Sequence, residues 1–142
     1  HLSLRRQRQM CIRDSYKIGA FSLLTTYAAS GIVKYFVRRE RPERKYQPRL
    51  WNTRITPSFP SGHVAASSAW ATVTAHHFSK STPLLTSYVI LSVWSQVYVG
   101  NHYLSDAIVG ALLGWAVGRF AIDKMGTKSA EASPYIQFSF SL

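Results

Sequence analysis

From Tyr16 onward the chain alternates apolar runs with short polar breaks, and the pattern reads as four helices. The first covers about residues 17–39, with an uncharged stretch over 18–33, and stops by Arg41 because Pro42 disfavours helical geometry in the residue before it. The second opens after Pro60 with Ser61 as its N-cap and runs to about Ser79, after which Lys80 to Pro83 turn the chain. The third takes LLTSYVILSVWSQVYV and ends at Gly100 or Asn101, both suited to a helix C-terminus. The fourth takes SDAIVGALLGWAVGRFAIDKM, with Ser105 or Asp106 near its start. Beyond Gly126 the period changes: Ile136, Phe138, Phe140 and Leu142 alternate with polar residues, which predicts a short extended segment. The opening HLSLRRQRQMCIRDS has neither period and resembles a translated junction sequence, so residues 1–15 are set aside as a non-native or disordered leader. The expected fold is all-α: an antiparallel bundle of about four main helices over residues 16–126, complete or a fragment of a larger bundle, followed by a C-terminal tail over 127–142.

Composition narrows the function classes. A chain of 142 residues that is 46% hydrophobic and 16% charged is too apolar for extended disorder. Its one cysteine, Cys11, excludes an internal disulfide framework and a multi-cysteine zinc site. The formal charge of +11 points to an anionic partner, but the bases crowd into the leader, the first helix and the loop after it, which weakens a nucleic-acid reading; no nucleic-acid partner is expected. Gly110, Gly114 and Gly118 recur every four residues in the fourth helix, a spacing that permits close helix contact in lipid, and membrane association is therefore expected over a soluble, secreted bundle. Arg119 and the frequent Ser, Thr, Gln and His residues of the apolar runs are the features that favour the secreted alternative.

Short turns force consecutive helices to run antiparallel, so the end of the first helix, the start of the second, the end of the third and the start of the fourth share one end of the bundle. Lys34, Arg41, Ser61, Gly62, His63, Gln96, His102, Ser105 and Asp106 gather there. These are residues for a phosphoryl group. Lys34 and Arg41, two helical turns apart if the helix persists, supply charge and a bidentate fork. Ser61 and Gly62 sit at a helix start, where free N–H groups and the dipole favour an anion. His102 and Asp106 are four apart, a spacing at which a carboxylate can accept from one imidazole nitrogen and leave the other as nucleophile or base. Two histidines from separate segments suit attack on phosphorus and protonation of a leaving group. Taken singly, each has a plainer reading: a solvated basic cluster, a capping-region histidine, a surface ion pair. His76 and His77 fit no such pattern and read as structural, and Trp70, Trp94, Trp115 and Tyr98 as core or lipid-interface aromatics.

In combination, KYFVRRERP from Lys34 to Pro42, PSGH from Pro60 to His63 and SQVYVGNHYLSD from Ser95 to Asp106 resemble, in order and spacing, the three motifs of the type 2 phosphatidic acid phosphatase superfamily, which includes bacterial acid phosphatases and vanadium haloperoxidases. The resemblance implies a phosphatase acting on a phosphorylated small molecule or lipid phosphate. It implies His102 as nucleophile forming a phosphohistidine, Asp106 orienting it, His63 as general acid, and Lys34, Arg41, Ser61 and Gly62 on the phosphoryl oxygens, with no metal and no cofactor. The site would face the periplasmic or external side of a cell envelope. One position departs: Gln96 stands where the family has arginine, so a charged donor is replaced by a neutral one, with Arg38, Arg39 or Arg54 as candidate substitutes. The alternatives are a non-catalytic phosphate or anionic-lipid binding protein and a vanadate-dependent haloperoxidase.

Overall fold

A run of good helix formers, Leu, Arg, Gln and Met among them, opens the chain, and the first glycine is Gly19. In the computed structural model, which describes residues 2–43 and 57–125, this run joins the following apolar stretch in one helix, α1, Leu2–Val37. Helix α1 thus begins well before the expected start near Lys17, because nothing in the leader sequence breaks it. It also ends two residues early: Arg38 takes a left-handed conformation (φ 46°), its amide still donating to the Lys34 carbonyl at 3.1 Å, and the chain leaves the helix before Pro42 is reached. The remaining helices are α2, Gly62–His77; α3, Thr82–Tyr98; and α4, Leu104–Met125, with one turn of 3-10 helix at Ser79–Ser81 between α2 and α3. Pro83 lies in the first turn of α3, where its missing N–H costs nothing, and Gly100, at φ 71°, follows the end of that helix. All described regular structure is helical, in the antiparallel bundle expected; the C-terminal tail and residues 44–56 lie outside the described residues.

The bundle is packed with small residues inside and large apolar ones outside. On α1 the buried stripe is Ile18, Ser22, Thr26 and Ser30, spaced by four, while Leu24, Tyr27, Ile32 and Phe36 are exposed. Helix α2 occupies the centre and contributes Val64, Ala65, Ser68, Ala69 and Val73 to the interior. Against it lies α4, whose glycines form the contact surface: a Cβ placed on Gly110 would lie 2.6 Å from the Ser61 carbonyl oxygen, and one on Gly114 would lie 2.0 Å from that of Ala65. The Ser68 hydroxyl, donating to the Ala111 carbonyl at 2.7 Å, ties the two helices further. An interior of Ser, Ala and Gly with Leu91, Trp94, Leu112, Trp115 and Phe120 turned outward reverses the order of a water-soluble core and suits association in an apolar solvent. Trp70, Trp94, Trp115 and Tyr98 are accordingly surface aromatics, not core ones. Among the described residues, two segments, Ser15–Val37 and Leu104–Met125, are long and apolar enough to cross a membrane.

Candidate active site

Three chain segments converge where α1 ends and α2 and α4 begin. Because α1 stops at Val37, Lys34 and Arg41 do not share a helical face; Lys34 reaches up from the last turn and Arg41 reaches back from the loop. Lys34 continues the buried stripe of α1 by one more step of four and donates from Nζ to the Pro57 carbonyl at 2.7 Å. Arg41 donates from Nη1 to the Asn101 carbonyl at 3.0 Å, and the same nitrogen stands 3.4 Å from His102 Nε2.

His102 lies in the connection between α3 and α4, two residues ahead of the helix, and is 2% exposed. Its Nδ1 lies 2.7 Å from the Ser58 carbonyl oxygen. A carbonyl only accepts, so Nδ1 carries the hydrogen and the lone pair of the neutral ring sits on Nε2, on the side of Arg41. Burial, followed by the charge of Arg41, holds the ring's pKa down from 6.5 to about 4, which keeps that pair available at neutral pH.

Asp106, fully buried in the first turn of α4, does not bond His102 as its spacing of four suggested: the nearest approach, Oδ2 to Nδ1, is 3.9 Å. A spacing of four brings side chains together only along a continuous helix, and α4 starts only at Leu104. The carboxylate is used elsewhere. Oδ1 pairs with Arg39 Nη1 at 2.8 Å; Oδ2 accepts from the Ser58 hydroxyl and, at 3.0 Å, from the Tyr103 amide, the reach-back of a capping box. Burial of both His102 and Asp106 rules out the surface-pair reading.

Ser61 is the N-cap of α2 by position, yet its hydroxyl caps nothing: Oγ is buried and makes no hydrogen bond. An orphaned hydroxyl at the positive end of a buried helix is costly unless something else accepts or donates there. Gly62 contrasts with the glycines of α4, since a Cβ on it would meet only Ser30 Oγ, at 3.9 Å. Protein packing does not require that glycine; close approach by a ligand would. His63, one residue on, is exposed and faces a cleft of about 420 Å³ lined also by Tyr27, Ser67, Trp70, Tyr88 and Gln96. Below it a second, apolar cavity of about 400 Å³ runs between α1 and α2 past Tyr16, Ala20, Val73 and Phe78, and the two share Leu23 and Trp70.

Gln96 connects the two sides. Its main-chain carbonyl accepts from the His102 amide at 3.2 Å, and its side chain lines the cleft beside His63. Of the two described candidates to support position 96, Arg39 is engaged by Asp106, and Arg38 bonds the Tyr35 carbonyl and lies over the Tyr35 ring. Arg54 lies outside the described residues. Restoring the charge with Gln96→Arg is expected to raise kcat/KM for a phosphomonoester about tenfold, since a charged hydrogen bond exceeds a neutral one by roughly 1–1.5 kcal/mol. Steady-state kinetics of the two proteins would check this, and an unchanged or lower value would count against the missing-charge argument. Sequence reasoning missed Ser58 and named Arg39 only as one of three candidate substitutes at position 96, not as the partner of Asp106: Ser58 acts partly through its carbonyl, which no residue type betrays, and Arg39 is one of several adjacent bases.

Comparison with known proteins bears on the whole arrangement. The family model of the PAP2 superfamily matches residues 16–129. The decaprenylphosphoryl-5-phosphoribose phosphatase of Mycobacterium tuberculosis is 31% identical over 122 residues, which cover 86% of this chain and 64% of the relative; the chain thus spans a little under two thirds of that protein's length. The catalytic subunit of inositol phosphorylceramide synthase from Saccharomyces cerevisiae is 30% identical over 66 residues, 46% of this chain and 16% of the relative. Among solved structures, the transmembrane PAP2-type phosphatidylglycerolphosphate phosphatase from Bacillus subtilis shares the fold, with a TM-score of 0.55 and 15% identity over 93% of this chain and 73% of its own. A family match running from α1 past the end of α4, on a bundle that brings the three motif segments to one end, establishes that the chain belongs to the PAP2 superfamily.

Proposed function

We propose that this protein is a membrane-associated phosphatase that hydrolyses a lipid phosphate or related phosphomonoester through a phosphohistidine. The observation that carries the reading is the buried His102 ring, pinned at Nδ1 by the Ser58 carbonyl so that the Nε2 lone pair faces the Arg41 guanidinium. In the first step Nε2 attacks phosphorus, the bond to the ester oxygen breaks, and His63 gives its proton to the departing alkoxide. In the second, water attacks the phosphohistidine, His63 takes its proton, and the bonding pair returns to Nε2 as phosphate leaves. Lys34, Arg41, the Ser61 hydroxyl and the Gly62 amide hold the phosphoryl oxygens, where charge spreads in the transition state. The cleft at His63 would receive the leaving group, and the apolar cavity beyond it suits a hydrocarbon tail, in keeping with the lipid-linked substrates named for two relatives. With Ser15–Val37 and Leu104–Met125 crossing the bilayer, the site would lie at one membrane surface, which we assign to the periplasmic or external side.

Rapid-quench labelling tests the reading. Detergent-solubilised protein mixed with a radiolabelled lipid phosphate is expected to trap a phosphoenzyme that is labile to acid and stable to alkali, the signature of a phosphorus–nitrogen bond. Gln96 favours a second reading, binding without turnover, because it removes a charge from the transition-state cradle. Saturable phosphate binding with neither label nor release would select it.

A further inference from the structure

Asp106 and His102 lie close together without bonding, and the residues between them explain why. We infer that Ser58 and Arg39 are positioning residues for His102: the Ser58 carbonyl fixes the ring's tautomer, the Ser58 hydroxyl occupies the Asp106 oxygen nearest the ring, and Arg39 offsets that carboxylate's charge. The inference goes beyond the phosphatase reading and rests on it only in taking His102 as the reacting group.

Ser58 is fully buried and tied through every polar atom it has. Its amide donates to the Arg39 carbonyl at 2.8 Å, its carbonyl accepts from His102 Nδ1 at 2.7 Å, and its hydroxyl donates to Asp106 Oδ2. The end of α1, the start of α4 and the imidazole are thereby fixed to one residue. Arg39 closes the frame from the other side. Its Nη1 bonds both Asp106 Oδ1, at 2.8 Å, and the Ser105 hydroxyl, at 2.9 Å, and its guanidinium lies 4.2 Å from the centre of the Tyr103 ring. These bonds draw the carboxylate away from Nδ1. The Ser58 carbonyl orients the imidazole and, by accepting from Nδ1, favours the protonated ring more than the Asp106 carboxylate does from its greater distance. The charged groups acting on His102 are Arg41 and Lys34, which oppose its protonation, and Asp106, which favours it; Arg39 acts on the ring by compensating Asp106.

Replacing Arg39 by methionine removes the compensating charge and frees Oδ1. The proton affinity of His102 is then expected to rise on the order of tenfold, moving its titration midpoint about one unit to higher pH. Ser58→Ala keeps the carbonyl, and so the tautomer, but frees Oδ2 and should shift the midpoint in the same direction. Arg39→Lys, which keeps the charge, should restore most of the original midpoint. The measurement is nitrogen NMR of histidine-labelled full-length protein in micelles, with His102 assigned by loss of its signal in His102→Ala. It reads the tautomer and midpoint without requiring turnover, and the acid limb of kcat/KM should move with the midpoint. A proton on Nε2 instead of Nδ1 in the parent protein, or an unchanged midpoint in folded Arg39→Met and Ser58→Ala, would overturn the inference. If the midpoints move as expected while no protein releases phosphate, the positioning roles stand and the phosphatase reading fails.

Discussion

Replacing His102 with alanine is expected to lower phosphate release by at least ~10³-fold, with the loss in kcat; removing the nucleophile of a serine protease costs on the order of 10⁶. The geometry sets this expectation apart from a general loss of fold. His102 is held by the Ser58 carbonyl, faces Arg41 and lies just ahead of the capping turn of α4, so its removal leaves a small buried space and one carbonyl without its donor. That orphan costs roughly 1–3 kcal/mol, enough to lower the melting temperature but not to explain a thousandfold loss in a protein that still folds. Chemical rescue separates the two effects. Free imidazole entering the vacated space can supply a lone pair beside Arg41, and partial recovery of turnover with rising imidazole would tie the defect to the missing ring. Lys34, Arg41 and Ser61 remain in this variant, so phosphate binding should persist while turnover is lost. Hydrolysis undiminished in His102→Ala would remove His102 from the chemistry.

What could be read from sequence divides according to the kind of atom that does the work. The antiparallel order and the convergence of Lys34, Arg41, Ser61 and His102 on one end follow from helix count and turn length, and both are present in the structure. The close approach of the α4 glycines was legible from their spacing, since only hydrogen side chains at every fourth residue let two backbones touch. The partner of His102 was not legible. Spacing of four implies contact only along a continuous helix, and the capping turn at Tyr103 interrupts it. The interior of α1 was obscure for a related reason: its buried face is Ser22, Thr26 and Ser30, so hydrophobic periodicity marks the side that faces outward. Arg38 in the left-handed region, which ends α1 early, follows no residue preference, as glycine or asparagine would be usual there.

The second large effect concerns the contact that carries the site. Gly114→Val is expected to destabilise the bundle by about 3 kcal/mol or more, because the added carbons meet backbone and not a side chain that can turn away. The ideal Cβ position lies 2.0 Å from the Ala65 carbonyl oxygen and 2.9 Å from the Ala69 nitrogen, so α2 and α4 would have to separate. The consequence reaches the active end, since the Ser61 amide donates to the Asp106 carbonyl at 3.0 Å across this same pair of helices. Thermal unfolding in detergent should therefore rank alanine variants by what each new methyl meets. Gly114→Ala should be the worst. Gly110→Ala, at 2.6 Å from the Ser61 carbonyl oxygen, should come next and lose activity out of proportion to stability. Gly118→Ala, whose nearest obstacle at 2.9 Å is the Thr72 Cβ, should be milder. Gly31 is exposed on α1 with nothing within 4 Å of its Cβ position, so Gly31→Ala should be neutral or stabilising by roughly 0.5–1 kcal/mol through helix propensity alone. If Gly114→Ala and Gly31→Ala were equally tolerated, α2 and α4 could not be in backbone contact, and the placement of Ser61 over Asp106 would lose its physical basis.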